Sequence, residues 1–139
     1  MRRSHADAIV ASAPGRYVLE FDGVTVGRVV QTGAEFPRCV GTFEVADDLA
    51  ESAPRIARLI ASCRAATRIE DAWDGVSDYP TSPELEALED FTSEMESDAW
   101  WLVESDGTRE PIAGPDFRHD GTIIWVWDVS REAVPPGRP

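Results

Sequence analysis

Chemistry in a short chain needs an imidazole or thiolate near a partner group, a set of metal ligands, or a glycine loop that cradles phosphate. This chain offers two histidines, His5 and His119, and two cysteines, Cys39 and Cys63. A nucleophile, a base and an orienting group must converge for acyl transfer. His5 lies in an opening stretch without clear period, and His119 sits one residue before an Asp-Gly turn signal. Cys39 falls in a strand pattern and Cys63 on the apolar face of a helix pattern, where a free thiol packs as a small hydrophobe. There is no Gly-x-Ser-x-Gly, no Gly-x-x-x-x-Gly-Lys, no dinucleotide fingerprint and no lysine at all. Metal-ligand spacings such as Cys-x-x-Cys and His-Glu-x-x-His are absent from the sequence. Residues 70–81 carry the Asp74-Gly75 step of a calcium loop. Ala72 and Thr81, however, stand where that loop needs an oxygen ligand and a bidentate Glu. These residues predict no catalytic centre, no metal and no cofactor.

The charges say more. Thirteen Arg face 26 acidic residues, a net charge of −13. Such a field opposes nucleic acid and anionic lipid, so neither is an expected partner. Thirteen of the acids lie in residues 69–108, which contain no Arg, and the other thirteen are matched by the thirteen Arg elsewhere. All the net charge therefore sits in one block. It can be a solvated face, offset in part by Arg55, Arg58, Arg64 and Arg68. It can also be a docking surface, because attraction acting over a Debye length of ~8 Å speeds encounter with a basic partner. Aromatic residues within the block would anchor that partner. The candidate contact set is Trp73, Asp74, Asp78, Tyr79, Glu86, Asp90 and Glu94.

The elements that must carry these residues are legible in outline. At 139 residues and 42% apolar, the chain fits one globular domain with its own core. Residues 17–21 and 24–30 flank Asp22-Gly23, the signature of a two-residue hairpin turn. That turn sets Phe21 opposite Val24, Glu20 opposite Thr25 and Leu19 opposite Val26. A loop over 32–38 and a third strand over 39–45 follow. An amphipathic helix is expected next, capped by Asp47, Asp48 or Ser52, with Leu49, Ala53, Ile56, Ile60, Cys63 and Thr67 on one face. Residues 70–81 read as a loop, and Ser82-Pro83 opens a second helix to about residue 96. A second hairpin, 99–105 with 109–112, would set Glu104 across from Arg109. Gly114-Pro115 reads as a break before a last strand over 123–128. Trp125 and Trp127 share one face of that strand, which is either core or an open aromatic surface. The expected fold is α+β, a largely antiparallel sheet in the order β-β-β-α-α-β-β-β packed on two helices. It would occupy residues 16–130, between a loose lead-in at 1–15 and a loose Pro-rich tail at 131–139. No apolar run approaches the ~20 residues of a membrane span, and no export signal is evident. A cytoplasmic protein with reduced thiols is expected.

Asp22-Gly23-x-x-x-Gly27-x-Val29 and Phe36-Pro37-x-x-x-Gly41-x-Phe43, ahead of an amphipathic helix, resemble a recurrent group of small bacterial proteins of uncharacterised function. The resemblance covers about residues 17–65, with a vaguer likeness around Gly114-Pro115-Asp116-Phe117 and Asp120-Gly121. Its motifs are turn and packing residues, so it implies a fold and no catalytic role. In size and acidity the chain is also similar, as a class, to immunity proteins that neutralise bacterial toxins. Together these features predict a non-enzymatic, immunity- or inhibitor-like protein that docks residues 70–98 onto a basic partner such as a toxin. The alternatives are a small enzyme with a cleft where His119 meets Asp116 or Asp120, and an accessory or scaffold domain.

Overall fold

The computed structural model describes residues 15–35 and 37–137. Six strands form: β1 (Arg16–Phe21), β2 (Val24–Glu35), β3 (Arg38–Val45), β4 (Trp100–Glu104), β5 (Arg109–Phe117) and β6 (Thr122–Trp127). Between β3 and β4 lie α1 (Leu49–Ser52), α2 (Pro54–Ala72), α3 (Pro83–Ala87), a 3-10 turn (Leu88–Phe91) and α4 (Thr92–Met95). The lead-in expected at 1–15 falls outside the described residues except for Gly15, whose carbonyl accepts the Gln31 amide at 2.6 Å.

The first hairpin forms as expected near its turn. Asp22 and Gly23 have φ of 51° and 81°, the pair of positive values a type I′ turn requires. Phe21 opposes Val24 and Glu20 opposes Thr25. A bulge then places Leu19 opposite Gly27, not Val26. The extra residue lets Leu19 and Val26 both bury completely, and it bends and twists the ribbon. β2 also continues to Glu35, so most of the loop expected at 32–38 is strand, with a second irregularity between Gln31 and Gly33. The break expected at Gly114-Pro115 is a third bulge inside β5. Pro115 cannot donate to a ladder, and a bulge is where a strand tolerates that.

These bends correct the expected architecture. β1 pairs with β4, Leu19 opposite Leu102, and this closes the order β1-β2-β3-β6-β5-β4 into an antiparallel barrel. It is not an open sheet laid on two helices. Closure removes both sheet edges, and side chains fill a barrel this small. Leu19, Val29, Cys39, Phe43, Leu102, Ile112, Phe117, Ile123 and Trp125 are its buried contents. Trp125 and Trp127 therefore serve the interior. Trp127 meets Trp125 edge-on at 6.0 Å and Tyr17 at 5.9 Å, toward the end where β1 begins and β6 finishes.

β3 ends and β4 begins at the opposite end of the barrel, so the helical connection packs across that end. Leu49, Ile56, Leu59, Ile60, Cys63 and Phe91 join the core there with Phe43, Trp100 and Phe117. The expected first helix is broken at Ala53 (φ −149°, ψ 72°). The residue before a proline is driven out of the helical region, and Pro54 takes the first turn of α2. Asp48 makes no capping hydrogen bond. α2 runs on to Ala72, which takes Glu70 and Asp71 out of the expected loop. The expected second helix is three short pieces. Ser82 does cap the first, its Oγ accepting the Leu85 amide at 3.2 Å.

In the second hairpin Arg109 lies opposite Val103, not Glu104. Its guanidinium reaches Glu20 at 3.3 Å and stacks over Trp101 at 4.6 Å. The tail, expected to be loose, returns to this strand. Arg109 and Val134 exchange backbone hydrogen bonds of 2.8 and 2.7 Å.

Candidate functional site

The acidic block resolves into a loop and a broken helix. In the loop after α2, Asp74 accepts the amides of Ser77 (2.8 Å) and Val76 (2.9 Å) and the Ser77 hydroxyl (2.8 Å). Those donors hold its carboxyl down to about 2. Trp73 donates its indole N–H to the Ser77 carbonyl at 3.0 Å and meets Tyr79 edge-on at 5.1 Å. Tyr79 donates its hydroxyl to Glu70 at 2.5 Å, and that carboxylate pushes the phenol above its ordinary range. Trp73 and Tyr79 remain 37% and 50% exposed. Asp78 is exposed as well. The loop therefore gathers Trp73, Asp74 and Tyr79. Asp74 is exposed, and its carboxylate already accepts three hydrogen bonds from its own loop.

In the broken helix, Glu86 and Asp90 stand exposed as expected. Glu94 does not. Arg55 bonds it through Nε and, at 3.3 Å, through Nη2, and this guanidinium holds its carboxyl below the usual range. Arg55 also donates to the Asp90 carbonyl and lies over the Phe91 ring at 4.7 Å. Glu94 thus belongs to a clamp that fastens the 3-10 turn and α4 to α2. The Glu94 carbonyl meanwhile accepts the Trp100 indole N–H at 2.8 Å. None of the other three Arg of α2 reaches the block. Arg58 and Arg68 are exposed, and Arg64 lies over the Phe43 ring at 6.0 Å. Glu84, Glu86, Glu89 and Glu96 have no ion-pair partner among the described residues, while the Asp90 carboxylate feels the charge of Arg55 without a close ion pair.

A second cluster joins the last turns of α2 to the β5–β6 turn. Arg118 grips both oxygens of Asp71 at 3.0 and 3.2 Å and reaches Asp116 at 3.2 Å. His119 Nε2 meets Asp71 at 2.8 Å, and Thr67 Oγ1 accepts the His119 amide at 2.9 Å. The His119 contact, with Arg118 beside it, holds the Asp71 carboxyl below its ordinary value. The His119 ring therefore bonds Asp71 and not Asp116 or Asp120, although its charge acts on Asp120. Asp120 accepts the Thr122 amide (3.0 Å) and hydroxyl (2.7 Å) and closes its own turn. Asp71 was hidden in the sequence by the expected loop. Its signal was the i, i+4 spacing from Thr67, which places both on one helix face.

Comparison with protein-family models, curated proteins and solved structures finds no match. What the chain does is therefore read from its own residues. Burial, with the nearby Asp116 charge, pushes the Cys63 thiol up to about 11, and burial raises Cys39 also. Both cysteines are free and buried, and neither is a thiolate at neutral pH. The Asp71–Arg118–His119 cluster ties a turn to a helix. No group of three or more His, Cys, Asp or Glu among the described residues is placed to hold a metal ion. No described helix is long and apolar enough to cross a membrane.

Proposed function

We propose that this chain is a non-enzymatic binding protein, immunity- or inhibitor-like, that docks its acidic segment onto a basic protein partner such as a toxin. One observation carries the reading. Four exposed carboxylates, at Glu84, Glu86, Glu89 and Glu96, have no ion-pair partner among the described residues, and exposed Asp90 shares the charge of Arg55 with Glu94. Four arginines are held elsewhere, Arg55 on Glu94, Arg109 on Glu20, Arg118 on Asp71 and Asp116, and Arg131 on Asp128, and among the described residues no ion pair joins Arg58, Arg64 or Arg68 of α2 to this segment. Like charges along one segment repel each other, and a basic surface relieves that repulsion while its approach is steered. Trp73 and Tyr79, beside this segment in sequence, would add aromatic contact at the rim. The basic substrate site of a nuclease is a surface of the required sign.

The test compares the chain with a Glu86→Arg, Glu89→Arg, Asp90→Arg variant as baits in a lysate of the native host. A basic protein retained by the first and lost from the second is expected. Its association rate should fall steeply with added salt, since screening shortens the reach of the field. Exposed pairs contribute only ~0–1 kcal/mol each, so the variant should melt close to the parent. Equal capture by both baits, or association indifferent to salt, would overturn the reading.

A further inference from the structure

Between the broken helix and β5 lies a groove of about 350 Å³ lined by Leu88, Glu89, Thr92, Met95, Glu96 and Gly114. Its walls have separate origins. On one side the 3-10 turn and α4 present Leu88, Thr92 and Met95 at i, i+4 and i+7. On the other, the β5 bulge places Gly114 at φ +43°, where an added Cβ would meet only the Met95 carbonyl, at 3.9 Å. Glycine thus leaves the groove open on the barrel side. Leu88 and Met95 pack against the core and form a fixed apolar floor. Glu89 and Glu96 are exposed and have no ion-pair partner among the described residues. Arg55 is occupied with Glu94 and the Asp90 carbonyl.

We propose that this groove seats one apolar side chain of the partner, flanked by arginine or lysine, and so anchors a basic, apolar segment of that protein. The proposal rests on the docking function above and names the feature it recognises. The floor matches a side chain of leucine or methionine type. The two carboxylates require cations beside it, because covering them with a neutral segment would remove water without supplying counter-charge. The volume lies at the lower end of the ~300–1,000 Å³ of small-ligand sites, enough for an anchor and too small for an element. The exposed carboxylates at Glu84 and Glu86 would steer the approach, and the groove would slow departure.

The experiment titrates the isotope-labelled full chain with two synthetic peptides of equal length and charge, one alternating Leu with Arg and the other Ser with Arg. The Leu-Arg peptide should shift the amides of Leu88, Thr92, Met95 and Gly114 saturably and bind about tenfold more tightly than the Ser-Arg peptide, the effect of burying one such side chain. Thr92→Trp fills the groove and leaves every charge in place, so it should remove the tenfold advantage and leave Ser-Arg binding unchanged. An advantage that survives Thr92→Trp would overturn the groove. So would equal affinity for the two peptides, with shifts spread along 84–96, and the acidic docking reading would then stand. Binding of neither peptide would overturn both. The peptide comparison on the unaltered chain decides the matter even where the variant fails to fold.

Discussion

Asp74 binds its own loop before it can bind anything else. Three donors converge on one carboxylate and hold it at about 2, against ~3.9 in an unfolded chain. The folded loop therefore gains stability wherever Asp74 is ionised in both states. That gain is complete above about pH 4 and disappears as the pH falls through about 2. Trp73 reports on this, because its indole N–H is held by the Ser77 carbonyl of the same loop. Asp74→Ala should speed exchange of the Trp73 indole proton at neutral pH and abolish the acid transition in Trp73 fluorescence between about pH 4 and 2. A wild-type spectrum unchanged across that interval would contradict the role given to Asp74. Glu94 makes the same point at a second site. An acid chosen for its charge and spacing is already engaged by Arg55 within the fold.

Among the elements, the weak one is the stretch from Ser82 to Met95. None of its pieces exceeds five residues, and an isolated helix needs ~12–15 residues to persist in water. It is held by contacts outside itself: Phe91 in the core, the Trp100 indole on the Glu94 carbonyl, and the Arg55 clamp. Arg55 is half exposed, with a side-chain exposure of 48%, so its removal should scarcely change global stability. Its effect belongs to local opening. Arg55→Ala should raise amide exchange across 88–95 while the strands keep their protection and the melting temperature moves little. Uniform loss of protection throughout the barrel would mean that this segment is integral to cooperative folding.

For the whole molecule, barrel closure depends on close approach of neighbouring strands. A Cβ on Gly41 would lie 2.4 Å from the Val30 carbonyl oxygen, and one on Gly27 would lie 2.2 Å from that of Glu44. Both obstacles are backbone and cannot turn aside. At Gly33 the nearest atom is a Val40 methyl carbon at 3.4 Å, an ordinary contact. Gly41→Ala should therefore lower stability in denaturant by about 1–3 kcal/mol, the usual cost of overpacking. Gly33→Ala should be close to neutral. Equal effects at the two positions would show that strand approach does not limit the fold. Gly27 and Gly41 are the two spaced glycines of the sequence pattern set out above, and close backbone approach is the physical reason each must lack a side chain.

Local rules were enough for much of this protein. The turn at Asp22-Gly23 was legible because positive φ at two successive residues selects such a pair. The Ser82 cap, the apolar face of α2 and the confinement of the net charge to one block were legible for similar reasons. Each depends on residues a few positions apart. Tertiary structure decided what depends on distant partners. Strand alternation marks an inner face but not whether the sheet closes, since closure comes from bulges at Leu19, Gln31 and Ala113 and from the pairing of β1 with β4. Charge can be counted along a chain, but its neutralisation cannot. Arg55 finds Glu94 39 residues away and Arg118 finds Asp71 47 residues away. Which carboxylates stay free is therefore fixed only when the barrel brings its turns against α2.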